Sequence, residues 1–355
     1  MRARALLAIL LLALLVLLPG TAAGAPQVRC TFEDDQLDEV SGLVDGPEGP
    51  QVVNDSGNPS TVYTIDPADC SVTGTRAVPV AGRDVEDLAR GADGTLWLAD
   101  TGDNDGARST VAMLRLPTRG GEIVTRLDYP DGPHDAEALL LPGDDRPVIV
   151  TKELGGRSAI YTVDAPLPPE PATAPIPLRR VGDVVVPASD TPNAGRGAAA
   201  LVGGRLITGG AVSADGHVVA LRTYGDAWLY PAASTATAED VVAALRGTPV
   251  RVPLPNEPQG EAIAFAPDGT LLSAGESPGG AARGALRAVP GATALVGAAA
   301  GPTTPATVRA ETPPTDRGAS PVAVVAVVAV VVLLAILVLA AVRRRRRATG
   351  DAGPR

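Results

Sequence analysis

Three glutamates recur at the same position of a repeated sequence pattern. Glu86, Glu137 and Glu261 each come second in a short apolar segment, within VEDLA, AEALL and GEAIA. Carboxylates gathered at one place repel one another unless a cation lies among them, and oxygen-rich sites suit Ca²⁺. Acidic residues at strand ends also cap backbone amides, which is the plainer interpretation of any single one. Their shared position predicts a calcium site with these three residues as ligands.

A loop rich in acidic residues is the best local candidate for further calcium ligands. Residues 100–108 have the sequence DTGDNDGAR, in which Asp100 and Asp103 would supply carboxylate oxygens. The loop is not an EF-hand, because the twelve-residue register places Ala112 where a bidentate glutamate belongs. It therefore predicts an irregular calcium-binding loop.

Charged residues also follow the second apolar segment of each repeated unit, where they are predicted to bind a ligand. Cationic side chains among them suit an anionic group such as phosphate. The segment NDSGN, which contains Asp55, is explained equally well by a turn in which an Asx side chain caps the backbone. The predicted ligand-binding residues are Asp55, Lys152, Glu153, Arg222 and Glu276.

Support for nucleophilic hydrolase chemistry is weak. The chain has no GxSxG motif, and His134 and His217 are its only histidines. His134, which adjoins Asp135, is a candidate general base or metal ligand, although a surface turn residue is the commoner case. Whether the protein is an enzyme stays open at this point. The candidate catalytic residues are Glu137, Lys152, Arg222 and His134.

Short strands are the elements that would position these residues. Between residues 26 and 290, β-type segments alternate with Gly, Asp and Pro turns, and only residues 237–245 suggest a helix. A unit of short strand, polar turn, apolar strand, polar loop and third strand recurs at a period of about 45 to 50 residues. The three clear copies are residues 85–116, 136–163 and 260–277, and the two weaker copies are residues 40–66 and 210–230.

Such a period predicts an all-β fold of the β-propeller class. One four-stranded sheet cannot bury both faces alone, whereas in a closed ring every sheet packs between two neighbours. The length favours six blades, with five as the alternative and a β-sandwich as the competing fold. In a propeller, the start of the first strand and the end of the second lie on one face of the disc. The predicted metal ligands and ligand-binding residues would therefore meet at one rim of the channel.

The two ends of the chain predict export and anchoring in a membrane. A basic, then apolar, then small-residue segment at the start is typical of a secretory signal peptide. Near the other end an unbroken apolar run of membrane-spanning length precedes five arginines, which places the C-terminus in the cytoplasm and the bulk outside. The predicted divisions are a signal peptide (1–25), a propeller ectodomain (26–290), a Pro/Thr/Ala-rich stalk (291–320), a transmembrane helix (321–342) and a basic cytoplasmic tail (343–355).

The charge and the cysteines restrict the partners and the compartment. The formal net charge is −10, and removing the +5 of residues 343–355 and the +2 of residues 1–25 leaves −17 for the remainder. Such a surface repels nucleic acid and favours cations or basic partners. Cys30 and Cys70 are predicted to form one disulfide that ties the N-terminal segment to the first unit. The Ala, Gly, Pro, Val and Arg content is typical of a GC-rich genome, such as an actinobacterial one.

With these residues in place, the sequence resembles a family of secreted bacterial β-propellers grouped near the esterase-like phytase proteins. The resembling segments are SGLV with VVNDSGNPSTVYTID, VEDLA with ADTGDN and Arg108, DAEALLL with VIVTKE, ADGHVVALRTYGDAWLY, and PQGEAIAFAPDG with GES. ADGTLWLADTGDN is also similar to blades of NHL-repeat, TolB-like and gluconolactonase-type propellers, which implies a metal in the channel. Ala211 stands where related blades place an acid, so a complete acidic ring is not implied. The resemblance implies architecture more firmly than activity.

Three functions fit these observations. The first is a surface-anchored binding module whose acidic channel face engages, with Ca²⁺, a small anionic ligand or a component of the cell envelope. The second is a metal-assisted phosphoester or ester hydrolase, in which the three glutamates hold the metal while Lys152 and Arg222 hold the anion. The third is a structural or interaction propeller without a small-molecule site.

Overall fold

The structure is a computed structural model, and it describes residues 24–55, 60–79, 82–192, 203–277 and 283–299. The strands of this part of the chain form five small sheets. The first strands in chain order are β1 (Gln27–Thr31), β2 (Val40–Val44), β3 (Gln51–Asn54), β4 (Thr61–Ile65), β5 (Val72–Ala77), β6 (Asp87–Arg90), β7 (Leu96–Asp100), β8 (Val111–Leu116), β9 (Ile123–Asp128) and β10 (Ala136–Leu140). The remaining strands are β11 (Val148–Thr151), β12 (Arg157–Thr162), β13 (Ile176–Pro177), β14 (Arg179–Val185), β15 (Ile207–Val212), β16 (Val218–Thr223), β17 (Asp226–Pro231), β18 (Val250–Pro253), β19 (Gly260–Phe265), β20 (Leu271–Gly275) and β21 (Ala285–Val289).

The sheets are the blades of a propeller. From the channel outward the blades are β2-β3-β4-β5, β6-β7-β8-β9-β13, β10-β11-β12-β14, β15-β16-β17-β18 and β19-β20-β21-β1. The innermost strands β2, β6, β10, β15 and β19 contact one another in cyclic order, which closes the ring. The predicted all-β propeller is confirmed.

The described residues form five blades, the alternative to the favoured six. The long stretch between the third and fourth units does not add a blade in the described part of the chain. Instead, β13 pairs in parallel with β9 of the second blade, and β14 becomes the outermost strand of the third. The fourth unit also begins earlier than predicted, because its inner strand β15 starts at Ile207.

Apolar packing between neighbouring blades holds the ring together. Five separate clusters of buried side chains fill the five interfaces, for example Leu88, Leu98 and Val53 between the first two blades. Most inner and middle strands are buried along their whole length, as β10 and β19 are, whereas the outermost strand β5 alternates between half-buried and exposed residues. Strands that lie between two sheets need apolar residues on both faces, which explains their continuous apolar runs.

The ring closes through its N-terminal strand. β1 pairs with β21, so the last blade combines one strand from the start of the ring with three from its end. Cys30 of β1 forms a disulfide with Cys70, which follows β4 in the first blade, and their Cα atoms lie 5.5 Å apart. The predicted disulfide is confirmed. By limiting the unfolded chain, a bond that closes a loop of this length contributes about 3 to 4 kcal/mol.

Two α-helices and one 3₁₀ turn accompany the described strands: the turn at Asp35–Leu37, α1 at Ala238–Ala244 and α2 at Ala292–Ala299. Thr237 and Asp240 form a reciprocal capping box at the start of α1, so the predicted helix at residues 237–245 is confirmed. α2 lies where the stalk was expected to begin. Ala292 and Val296, four residues apart, are buried against the cluster between the fourth and fifth blades, which explains the helix.

The predicted signal peptide, most of the predicted stalk, and the predicted transmembrane helix and basic tail lie outside the described residues. Within the ranges that the structure describes, no helix is long and apolar enough to cross a membrane.

Candidate functional site

A β-bulge lies at the same point of four innermost strands. The pairing with the neighbouring strand slips by one residue between Val40 and Gly42 and at the matching positions of β10, β15 and β19. In the second blade, the N–H of Glu86 donates to the Ala99 carbonyl at 2.8 Å, just before the regular pairing of β6 begins. A bulge redirects one side chain out of the alternating pattern. The residues at this position are Ser41, Glu86, Glu137, Thr208 and Glu261.

This geometry explains the recurrence of glutamate in the sequence and corrects the alignment of the fourth unit. The residue at the bulge of the fourth blade is Thr208, rather than Ala211. The Thr208 hydroxyl donates to the Gly260 carbonyl at 3.0 Å, and the Ser41 hydroxyl donates to the Glu86 carbonyl at 2.7 Å. The two blades without a glutamate therefore use hydroxyls to join adjacent inner strands.

Three carboxylates converge at one end of the channel. Ligand oxygens of Glu86, Asp135 and Glu137 all lie within 4.8 Å of one another, a group that matches two of the predicted metal ligands. Glu86 and Glu137 are 3% and 2% exposed, so their charges are withdrawn from water. Among the described residues, none forms a hydrogen bond with Oε2 of Glu137. A Cβ added to Gly102 would overlap Oε1 of Glu86, so the glycine makes room for this carboxylate.

The burial of Glu86 and Glu137 opposes their ionisation. Burial raises the pKa of Glu86 well above its usual range, and the neighbouring Glu137 and Asp84 raise it further. Burial also raises the pKa of Glu137 to about 7, although Lys152 acts in the opposite direction. A divalent cation among these oxygens would favour the charged forms and relieve both effects.

Lys152 lies beside this group. Its ammonium forms an ion pair with Oε1 of Glu137 and lies 5.5 Å from the centroid of the Tyr224 ring. Its backbone N–H donates to the Asp135 carbonyl at 2.9 Å, which fixes the start of the Lys152 side chain next to the carboxylate group. Burial by itself would lower the pKa of Lys152, but Glu137, Tyr224 and Glu261 outweigh burial and raise it, so the side chain stays protonated.

The fifth and first blades add further acidic residues on the same rim. Glu261 and Glu276 share a hydrogen bond, and burial raises the pKa of both. Gln259 donates a further hydrogen bond to Glu276. Burial, Glu276 and Glu39 together raise the pKa of Asp55 to about 8. We call this end of the channel the carboxylate mouth, defined by Asp55, Glu86, Asp135, Glu137, Lys152, Tyr224, Glu261 and Glu276.

The acidic loop at residues 100–108 is held by its own hydrogen bonds. Asp100 accepts the backbone N–H groups of Arg83 and Asp84, both at 3.0 Å, and pairs with Arg108 at 3.0 Å. The two oxygens of Asp103 accept the N–H groups of Ala107 and Arg108 at 2.8 and 2.9 Å. The predicted ligands Asp100 and Asp103 therefore stabilise the loop, and neither belongs to the group formed by Glu86, Asp135 and Glu137.

Arg222 is not open to a ligand in this structure. Its side chain is fully buried, donates to the Ala262 carbonyl at 2.9 Å and forms an ion pair with Glu257. Burial lowers the pKa of Arg222 to about 9. The arrangement joins the fourth blade to the fifth, so the predicted anion-binding role would require this buried pair to separate.

His134 and Glu153 belong to a second polar group beside the mouth. His134 Nε2 lies 2.9 Å from the Tyr161 hydroxyl and 3.1 Å from Asp131, and its Nδ1 lies 3.7 Å from Glu153. The Glu153 side chain is 40% exposed and the His134 side chain 20%, so this pair is partly solvated. The cluster is held by ring contacts of His134 with Tyr129 and Tyr161.

Asp135 and Tyr224 are the site residues that the sequence analysis missed. A signal for Asp135 exists, because Asp84 and Asp135 both stand two residues before a recurrent glutamate, in DVE and DAE. In the fifth blade the same position is Gln259, in QGE. Tyr224 carries no comparable signal, since its place beside Lys152 follows only from the packing of the third blade against the fourth.

The opposite end of the channel is apolar. A cavity of about 400 Å³ lies there, and each of the five inner strands contributes to its wall. Each inner strand contributes to this wall the residue that stands two positions after the bulge position. We call this end the apolar mouth, defined by Leu43, Leu88, Leu139, Gly210, Ile263 and Phe265.

Asp87 stands between a residue of each mouth, Glu86 and Leu88, in the second blade. The residue is fully buried, and its carboxylate accepts the N–H groups of Leu88, Leu139 and Gly210 at 2.8, 2.8 and 3.0 Å. These donors belong to three different inner strands. A single side chain thus ties the second, third and fourth blades together at the axis.

Comparison with known proteins adds little to this description. No known family model matches the chain, and no curated protein matches it. Among solved structures, a gluconolactonase from Xanthomonas campestris aligns with a TM-score of 0.40 and 12% identity over 71% of each chain. A glutaminyl cyclase from Myxococcus xanthus gives 0.39 and 14% over 76% of this chain and 96% of that one. A streptogramin B lyase gives 0.38 and 13% over 75% and 98%. All three likenesses are weak.

Proposed function

We propose that this protein is a binding module that holds a divalent cation, Ca²⁺ by preference, at its carboxylate mouth and engages a ligand there. The observation that carries the proposal is the convergence of Glu86, Asp135 and Glu137, whose ligand oxygens lie within 4.8 Å of one another. Oxygen-only donors from carboxylates suit Ca²⁺ rather than a softer metal.

The state of Glu137 supports the fit of a cation. A buried polar atom without a hydrogen bond is costly, and Oε2 of Glu137 is such an atom among the described residues. Buried carboxylates this close together are also unfavourable unless they are protonated or share a cation. Glu86, Asp135 and Glu137 would hold the cation, which when bound would offset most of their negative charge and present open coordination positions to a ligand.

Calcium titration of the full-length chain, purified in detergent, tests this proposal. Calorimetry and thermal unfolding are followed together, and saturation at a hundredfold excess over Kd is expected to stabilise the fold by about 2.7 kcal/mol. Asp135→Asn should weaken binding, whereas Asp164→Asn, at a side chain 79% exposed in an ion pair elsewhere, should not. No heat and no rise in Tm at a few millimolar Ca²⁺, above the Kd of the weakest extracellular calcium modules, would refute it.

One observation favours a hydrolase as the second candidate. Glu261 and Glu276 share a hydrogen bond in a buried setting that raises the pKa of both, which keeps a protonated carboxyl available as a general acid beside Lys152. Calcium-dependent turnover of aryl phosphates or esters, lost in Glu261→Gln and Lys152→Ala, would support this function. Absence of turnover across a broad panel of both substrate classes would count against it.

We further propose that the module is exported and anchored by residues 321–342, with the propeller outside the cell. The support is the order of segments in the sequence: a basic and apolar start, a Pro/Thr/Ala-rich stretch, an apolar run and five arginines. Proteolysis of intact cells should then remove the propeller, and deletion of residues 321–342 should release it into the medium. Protection of the propeller in intact cells, with cleavage only after lysis, would contradict this topology.

A further inference from the structure

Lys152 is the single lysine of the chain. Lysine and arginine together number 30, and all the others are arginine. This one ammonium lies at the carboxylate mouth, paired with Glu137 and next to the Tyr224 ring. It also acts electrostatically on Glu86, Glu261 and Glu276, which come from the second and fifth blades. The chain therefore places its only small, flexible cation at the point where the acidic groups of several blades meet.

Glu137 belongs to two arrangements at once. Its Oε1 pairs with Lys152, while the same residue is one of the three carboxylates that would hold a divalent cation. An ammonium and a divalent ion on one carboxylate repel each other strongly in a buried site, where the effective dielectric constant is well below that of water. The ion pair and a bound cation are therefore alternatives that compete for Glu137.

Lysine suits such a competition better than arginine does. A guanidinium would hold Glu137 through two fixed parallel hydrogen bonds, whereas an ammonium is a point charge on a stem with four rotatable bonds. The Lys152 side chain is 16% exposed, so part of it already contacts solvent. The backbone hydrogen bond to Asp135 would keep its Cα in place during a movement of the side chain away from Glu137.

We infer that Lys152 is a tethered counter-ion, which holds Glu137 in the cation-free protein and is released to bind an oxyanion once a divalent cation is bound. This inference rests on the proposed cation site. Without a cation, the carboxylates of the mouth repel an anion. A divalent cation offsets much of the negative charge of Glu86, Asp135 and Glu137 and leaves the ammonium free, so a phosphate or carboxylate group can coordinate to the cation and pair with Lys152. The ligand class is therefore a small oxyanion.

Reciprocal coupling follows from this arrangement. If the cation raises the affinity for the oxyanion, the oxyanion must raise the affinity for the cation by the same factor. Methyl phosphate is a suitable probe. Calorimetry on the full-length chain should show at least about tenfold tighter binding of methyl phosphate in saturating Ca²⁺ than in EDTA, a factor within the usual range of coupling energies. Equal affinity in both conditions would overturn the inference.

The single lysine also gives a direct readout in the unaltered protein. Labelling with ¹⁵N-lysine yields one backbone signal and one ζ-ammonium signal from the full-length chain in detergent, both from Lys152. The ζ-ammonium signal should move on calcium addition with the same midpoint as the calorimetric titration. If Ca²⁺ binds and this signal does not move, the inference fails while the proposed cation site stands. If Ca²⁺ does not bind at all, the proposed function itself fails.

Substitution of Lys152 completes the test. Lys152→Met keeps the length of the stem and removes the charge, so the affinity for Ca²⁺ should rise about tenfold or more, and methyl phosphate should bind more weakly in saturating Ca²⁺ than it does to the original protein. Arg157→Met is the matched control, because it removes one positive charge five residues away at a side chain 68% exposed. An unchanged or lower Ca²⁺ affinity in folded Lys152→Met would show that the lysine does not compete for the site.

Discussion

The two mouths of the channel are built by the same five strands and differ in what those strands present. At the bulge, three of the five strands carry glutamate, whereas two residues further along four of the five carry Leu or Ile. The aliphatic residues pack into the clusters between blades and stabilise the ring. The glutamates are buried, and their raised pKa values mean that their charged forms lower the free energy of unfolding. A fold of marginal stability retains such groups where they bind something.

Asp87 shows that a buried carboxylate on this axis can also have a purely structural role. It directly follows Glu86 in the chain, and burial raises its pKa as well. The difference is in its partners, because both oxygens of Asp87 accept backbone N–H groups, whereas Oε2 of Glu137 has no hydrogen bond within the described part of the chain. Satisfied hydrogen bonds therefore separate Asp87 from Glu137 better than burial does.

The largest expected effect is on stability, at the apolar mouth. Leu88 is 2% exposed and belongs to the cluster between the first two blades. Leu88→Ala should lower the free energy of unfolding by about 2 to 5 kcal/mol, because it removes buried methyl groups and leaves a cavity. The rise in Tm with saturating Ca²⁺ should be retained. Loss of that calcium response in a folded Leu88→Ala protein would show that the two mouths are not independent.

The next effect is on affinity, at the carboxylate mouth. Glu86→Gln removes one carboxylate charge from the three that converge, and it should weaken Ca²⁺ binding by at least about tenfold, or roughly 1.4 kcal/mol. In EDTA the same variant should be at least as stable as the original protein, since it removes a buried carboxylate whose charged form is disfavoured by burial and by its acidic neighbours. Calorimetry and urea unfolding measure the two quantities. A destabilised variant with normal calcium affinity would reverse the roles assigned to Glu86 and Leu88.

The repeat in the sequence predicted the fold, and the three recurrent glutamates predicted the site. The number of blades and the roles of several charged residues could not be predicted in this way. The period identified a propeller, but a sixth blade was favoured because residues 164–206 were counted as repeat length, whereas β13 and β14 extend existing sheets.

Asp100 and Asp103 lie in an acidic loop and were therefore predicted to bind a metal. In the structure their carboxylates instead accept hydrogen bonds from nearby backbone N–H groups, which the composition of the loop does not indicate. Arg222 resembled an anion clamp, but its partner Glu257 is 35 residues away in the chain and only folding brings them together. Non-local pairing of this kind leaves no local signal.

A smaller effect should come from glycine at the rim of each mouth. An added Cβ at Gly102 would overlap the Glu86 carboxylate, whereas at Gly46, beside the apolar mouth, it would lie 2.6 Å from the flexible end of Arg90. Gly102→Ala should therefore displace Glu86 and weaken Ca²⁺ binding by a few fold, with a threefold change corresponding to about 0.65 kcal/mol. Gly46→Ala should leave the calcium affinity unchanged. Calorimetry on both variants tests this, and equal losses would mean that the effect is general strain and not displacement of a ligand.

The smallest expected effect is a pH dependence that belongs to the carboxylate mouth alone. The pKa of Asp55 is raised from 3.8 to about 8 by burial and its acidic neighbours, so the folded state binds more protons than the unfolded state between those values. Its contribution to stability is therefore lost as the pH rises from about 4 to 8. In EDTA, the Tm of Asp55→Asn relative to the original protein should increase with pH between pH 5 and 8.5, by only about 2 °C because solvent screens this half-buried carboxyl. Asp93→Asn is the control, because backbone and side-chain hydrogen bonds from Thr95 lower the pKa of Asp93, so it does not titrate in this interval. A flat difference for Asp55→Asn would mean that Asp55 is already ionised at neutral pH, and that its repulsion with Glu39 and Glu276 is relieved in another way.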